Sequence, residues 1–319
     1  SRYYQALVIE EEQDKSRNQK SYDTAFDTIF NYLKGIIDNS TIPTKTENAI
    51  LSMAGLCLSL PSHAHQNVEK VVTYMKQVIA SEPQEWVLFA CNMALAAASY
   101  ELHVPAQITS VVEMLFSQLD TLSNDDFSSI NSLSACMSLG LIVKGLCMNE
   151  GVTHGVDEFE KALVLQVSSR LFKLCFSKPL PLSTNVVEAS TVSTSLSDTD
   201  YDWKQLNNIL LGLSLCSAPL TRIGEKEAVQ SIYAEIMNQV KQIQDSPNTV
   251  QPSALLALPQ VMLAMYSSGL ISWSHITDIM NVYQTLISKN ENKSLPATVK
   301  LYSYAQIGLS NLLFGLFCQ

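Results

Sequence analysis

Residues 68–100 read VEKVVTYMKQVIASEPQEWVLFACNMALAAASY, and this stretch decides the fold. Its first half places Val68, Val71, Val72, Met75, Val78 and Ile79 at helical spacing, with Glu69, Lys70, Lys76 and Gln77 on the opposite side. Such a helix buries one stripe and wets the other. Pro83 then interrupts, because a proline removes a backbone donor and restricts the residue before it. The second half, from Trp86 through the cluster Ala94 to Ala98, is apolar nearly all round. A helix of that kind has no face to give to water and is expected between neighbours.

The same succession occurs six times. Helices that are apolar nearly all round are predicted at 48–60, 86–100, 129–147, 206–218, 253–266 and 302–318. Each follows an amphipathic one, marked in turn by Phe26, Phe30 and Leu33, by Val71 and Met75, by Val111 and Leu115, by Leu163 and Leu171, by Ile232 and Ile236, and by Ile279 and Tyr283. One small residue near the middle of each apolar helix (Gly55, Ala96, Gly140, Gly212, Ala264 and Gly308) sets steps of about 41, 44, 72, 52 and 44 residues. The long step contains a Ser/Thr-rich tract of roughly two dozen residues, and without it that step returns to the high forties, which leaves a period near the 40 to 47 of HEAT and armadillo repeats. The small residues are expected where neighbouring helix backbones approach closely. The predicted fold is all-α, an α-solenoid of about six HEAT/armadillo-like helical hairpins over residues 21–319. Residues 1–20 read as a helix remnant and charged linker, and residues 178–200 as an exposed loop insertion.

Punctuation agrees with this reading. Pro61 ends the first apolar helix, Pro105 opens an amphipathic one, Ser246-Pro247-Asn248 makes a turn, and Pro259 is expected to kink its helix. Gly and Pro number only 11 each in 319 residues, fewer than β-rich folds with many tight turns need. The charged fraction is 16%, below the roughly 25% usual for soluble domains, which suits helices sandwiched between others. The formal charge of −10 opposes direct nucleic-acid binding, which needs a surplus of Lys and Arg. No apolar run reaches the roughly 18 to 20 residues of a membrane span, and the closest, 307–317, is interrupted by Ser310 and Asn311. Solenoid ends usually carry a polar outer face, so an apolar last helix suggests a piece of a longer polypeptide.

Candidate chemistry is sparse. His63 and His65 form the only close histidine pair, near Cys57, but no third and fourth metal ligand stands at recognisable spacing. They read as exposed turn residues. His103, His154 and His275 are isolated. The cysteines (Cys57, Cys91, Cys136, Cys147, Cys175, Cys216 and Cys318) lie in apolar helical stretches without a C-x-x-C pair, as small buried hydrophobes in a reducing compartment. The triplets Asn39-Ser40-Thr41 and Asn292-Lys293-Ser294 read as chance glycosylation matches. Glu10-Glu11-Glu12 is a solvated run, and Asp125-Asp126 a helix cap. No phosphate-binding loop, dinucleotide fingerprint or zinc-protease motif occurs. No residue is assigned a catalytic, cofactor-binding or metal-binding role. Trp86, Trp203 and Trp273 each open a helix, where one on a concave face would anchor a partner peptide.

Leu211-Gly212-Leu213-Ser214-Leu215-Cys216, followed by Gly224-Glu225-Lys226 and a helix, together with Ser138-Leu139-Gly140-Leu141-Ile142-Val143, resembles the carboxy-terminal helical-repeat region of the focadhesin family. The likeness covers about two thirds of the chain as pattern, and the Ser/Thr tract has no counterpart in it. The resemblance implies a cytoplasmic scaffold with no catalytic residues to carry over. It also implies partners in the superkiller complex, which feeds messenger RNA to the exosome, or among focal-adhesion proteins.

From the residues themselves the expected function is a non-enzymatic scaffold or adaptor that docks other proteins on a helical-repeat surface. The rival readings are a helical-repeat domain of a transport or vesicle-coat factor, and a regulatory solenoid attached to an enzyme. The Ser/Thr tract reads either as a passive insertion or as a phosphorylation or docking segment.

Overall fold

The apolar stripes predicted above fold into helices and nothing else among the described residues. The computed structural model describes residues 15–60, 65–81, 83–102, 104–120, 130–148, 157–183, 203–245, 253–290 and 296–317. These residues form thirteen helices: α1 (Lys15–Asn39), α2 (Pro43–Cys57), α3 (His65–Ala80), α4 (Glu85–Ser99), α5 (Pro105–Asp120), α6 (Ile130–Met148), α7 (Glu158–Phe176), α8 (Trp203–Leu215), α9 (Ser217–Arg222), α10 (Lys226–Asp245), α11 (Ser253–Ser267), α12 (Trp273–Asn290) and α13 (Pro296–Phe317). The all-α helical-repeat architecture expected from the periodicity is the one observed.

The chain forms two compact units, divided between Thr121 and Leu122. The division falls between α5 and α6, the two helices that the sequence pairs as its third hairpin. In the first unit α2 and α4 make the most extensive contact, with α1 against α2 and with α3 and α5 against α4. In the second unit α6, α8, α11 and α13 pack in succession, α7 lies against α6 and α8, and α10 and α12 lie against α11 and α13. Thus within each unit the helices apolar nearly all round pack on one another, and the amphipathic ones cover them. The reason is the one legible in residues 68–100: only a helix flanked by others can bury Ala90, Cys91, Ala94, Leu95, Ala96 and Ala98 together, as α4 does.

Polar ties join helices within each unit. The side-chain amides of Asn92 on α4 and Gln118 on α5 exchange two hydrogen bonds, at 2.8 and 3.1 Å. Asn208 on α8 donates to Ser132 Oγ on α6 at 2.8 Å. On the amphipathic helices Lys70 pairs with Asp27 at 2.6 Å and sits 4.8 Å from the Phe30 ring.

Several expectations are corrected. The apolar helix predicted over 206–218 ends at Leu215 and is followed by the short α9. Pro219 lies four residues after Leu215 and has no N–H to give its carbonyl, while Cys216 N–H turns to Leu213 O instead. The first helix begins at Lys15, so residues 15–20 are helical and not linker. Pro259 lies inside α11, as expected from the sequence. Of the six small residues, Gly140, Gly212 and Gly308 are at close approaches, since a Cβ there would collide with a neighbouring backbone carbonyl. Gly55 is not, because nothing lies within 4 Å of its Cβ position. The tract predicted as a free loop starts as a packed strap: Leu180 is buried and Lys178 pairs with Glu235 on α10. Residues 184–202 lie outside the described residues, as do Glu10-Glu11-Glu12, Pro61, Asp125-Asp126, Ser246-Pro247-Asn248 and Asn292-Lys293-Ser294.

Candidate functional site

A helix apolar all round is expected to be hidden, and the places where this one-sided rule fails are the candidates for binding. In the first unit Leu51 on α2 and Leu58, which caps its end, are 46% and 49% exposed. Seven residues apart, they share one side of the helix with Gly55 between them. Nothing stands within 4 Å of a Cβ at Gly55, so the strip between the two leucines is open. On the neighbouring α4, Trp86 is 57% exposed, and its ring lies 6.1 Å from that of half-buried Phe89. Met93, one turn further, is also half-buried. These residues are apolar surface that α1, α3 and α5 leave uncovered on α2 and on α4.

A cleft of about 420 Å³ opens between the end of α1, the start of α2 and the α3–α4 connection. Ile37, Val78 and Val87 supply apolar walls, and Asp38, Thr46 and Gln84 supply polar ones. The Asp38 carboxylate accepts a 2.6 Å hydrogen bond from Tyr74 Oη. Burial, and then that hydrogen bond, push the Tyr74 phenol well above its ordinary range, so it remains a donor at neutral pH. The Lys34 ammonium lies 4.9 Å from the Tyr74 ring.

The second unit shows an exposed stripe on α13, where Ile307, Phe314 and Phe317 are exposed, Phe317 by 88%. The helix predicted as buried all round packs chiefly on α11 and α12, which leaves this side open. Trp273, at the start of α12, is 54% exposed and 6.1 Å from the Tyr266 ring.

Among the described residues, those singled out for chemistry form no cluster that could hold a metal ion. The side chains of His63, His65, His103, His154, Cys147, Cys318 and Trp203 lie outside the described residues. His275 shares a 2.9 Å hydrogen bond with Ser272 at the start of α12. Cys57, Cys91, Cys136, Cys175 and Cys216 are buried free thiols. Burial pushes Cys57 up to about 12, helped by the Glu101 carboxylate, and burial alone does the same for Cys91. A thiol held protonated is a poor nucleophile and a poor metal ligand. Among the described residues no group of three or more His, Cys, Asp or Glu is placed to hold a metal ion. No helix among them is long and apolar enough to cross a membrane.

Sequence reasoning found Trp86 and Trp273 but missed Leu51, Leu58, Phe314 and Phe317. Their exposure is invisible in an apolar run, because hydropathy does not say which side a neighbour covers.

The fold and these surfaces define an all-α helical-repeat protein. No protein-family profile matches the chain, and no curated protein is significantly similar to it. Among solved structures, an engineered protein matches with 18% identity over 89% of this chain and 97% of that one. Its TM-score of 0.36 is too low to carry an argument.

Proposed function

We propose that this chain is a non-enzymatic scaffold that docks other proteins on the exposed apolar side of α2 and α4. The supporting observation is that apolar side chains stay exposed on two helices packed on one another: Leu51 on α2 and Leu58 just past its end, and Trp86 at the start of α4. Aromatic and aliphatic anchors of this kind dominate binding energy when a partner covers them. The partner that fits is an amphipathic helix or extended segment with apolar anchors and basic flanks. The basic flanks follow from the chain's net charge of −10 and from the carboxylate of Asp38 in the cleft. The resemblance to the focadhesin family favours a cytoplasmic scaffold and nominates the superkiller complex, with focal-adhesion proteins second, as the assembly to test.

The test compares the full-length protein with its Leu58→Glu/Trp86→Glu variant. Both positions are surface-exposed, so the thermal midpoint should stay within a few degrees of the parent. Affinity for the superkiller complex should fall at least about tenfold, since losing one interface anchor costs about 2 kcal/mol or more. Unchanged affinity in a folded double variant would remove this surface from the proposal. Absence of any measurable binding by the parent would remove the partner.

A further inference from the structure

The Lys178–Ser183 strap is held by an unusual contact. Glu225, only 1% exposed, sits in the turn between α9 and α10 and accepts two hydrogen bonds from Ser183 on one oxygen. The Ser183 N–H donates to Oε2 at 2.7 Å and the Ser183 hydroxyl at 2.9 Å. Gly224, with φ of 91°, turns the chain so that Glu225 opens α10, its carbonyl accepting from Val229 N–H. A carboxylate at that helix end is favoured by the exposed N–H groups and the helix dipole. Upstream, Ser177 ends α7 in the left-handed conformation, and Pro179 and Pro181 keep the strap out of helix. Buried Leu180 and the Lys178–Glu235 pair complete the attachment. Ser183 itself is exposed. A serine that is exposed, on non-helical backbone, and bonded through its hydroxyl to a buried carboxylate can be reversed by adding negative charge.

We propose that Ser183 is a phosphoacceptor and that its phosphorylation releases the strap from Glu225. The strap is non-helical and lies outside both α7 and α10, so it opens locally without unfolding either helix, and the open form presents the hydroxyl to an ATP-dependent serine/threonine kinase. In the transfer, Ser183 Oγ attacks the γ-phosphorus of ATP. The Oγ–P bond forms as the bond to the β,γ-bridging oxygen breaks, ADP leaves, and the hydroxyl proton passes to the kinase base. The phosphoserine then carries about −1.5 to −2 charges where a donor stood, and it cannot return to a buried carboxylate. The docked state loses a hydrogen bond and gains a repulsion. This inference does not depend on the docking surface proposed above.

The experiment uses the full chain with phosphoserine encoded at position 183, and reads amide hydrogen exchange over Leu180, Leu182 and Ser183. Exchange there should be at least about tenfold faster than in the unmodified protein, the change expected from losing hydrogen bonds to a charged group. The exchange of α7 and α10 should be unchanged. Adding Glu225→Gln to the phosphoprotein should restore slow exchange, because the amide can donate to the phosphate; a purely steric disturbance would not be rescued. Exchange that stays slow in the phosphoprotein, as it would if Arg222 or Lys226 captured the phosphate in place, overturns the proposal. So does acceleration that Glu225→Gln leaves untouched. The proposal also falls if the full chain, expressed in cells with phosphatases inhibited, carries no phosphate on Ser183 by mass spectrometry.

Discussion

At Pro259 one backbone donor is missing, and three residues from three helices meet the consequence. The Leu255 carbonyl, four residues earlier, has no proline N–H to accept from. Tyr283 Oη on α12 donates to it at 2.6 Å, and Gly308 on α13 leaves room beside it, where any Cβ would collide with that carbonyl. Tyr283→Phe removes the donor and leaves a buried acceptor unpaired, so it should destabilise by about 1–3 kcal/mol, read as a lower urea midpoint. The buried thiols set a second expectation at this scale. Cys57 and Cys91 each have an ordinary value of 9.0 and are pushed up to about 12 in the folded chain. The unfolded chain therefore releases these protons first as pH rises, and stability falls between about pH 9 and 12. Replacing both with Ala should flatten that alkaline limb in pH-dependent denaturation, whatever it does to stability at neutral pH.

Between elements, glycine separates two cases that look alike in sequence. Gly140 on α6 and Gly212 on α8 both stand where the two helices touch: a Cβ on Gly140 would lie 2.9 Å from Leu215 Cβ, and one on Gly212 would lie 2.6 Å from the Cys136 carbonyl carbon. Backbone cannot retreat as a flexible side chain can. Gly140→Ala or Gly212→Ala should therefore cost about 1–3 kcal/mol, as overpacking does. Gly55 sits in the interior of α2 with open space around it. Gly55→Ala should raise stability by up to about 1 kcal/mol, because alanine is the better helix former and meets nothing. Thermal melts of the three variants, measured side by side, check both signs. The periodicity predicted a small residue near the middle of each apolar helix. Only the packing of α6 on α8 and of α11 on α13 tells which of them touches another backbone.

At the scale of the molecule, burial is concentrated where apolar helices pack on apolar helices, and protection should follow it. The amides of residues 94–98 on α4 and 209–213 on α8 should exchange most slowly, and those near exposed Tyr32 on α1 much faster. Uniform exchange across the two kinds of helix would contradict the layered arrangement. The acidic balance of the chain also makes a prediction: affinity for a basic partner segment should fall as salt rises from about 0.05 to 0.5 M, since the Debye length then shrinks below the reach of surface charges.

Residues 68–100 were enough to fix the all-α class and the alternation of wetted and sandwiched helices, because helical period and the cost of exposing apolar surface are local properties of the chain. Pro83 within them marked the break between the two helices. The packed start of the Ser/Thr tract, the exposure of Leu51 and Leu58, and the seat of Ser183 on Glu225 were decided by tertiary structure alone. Each depends on which neighbour covers which side, and that is a relation between residues as far as 57 positions apart.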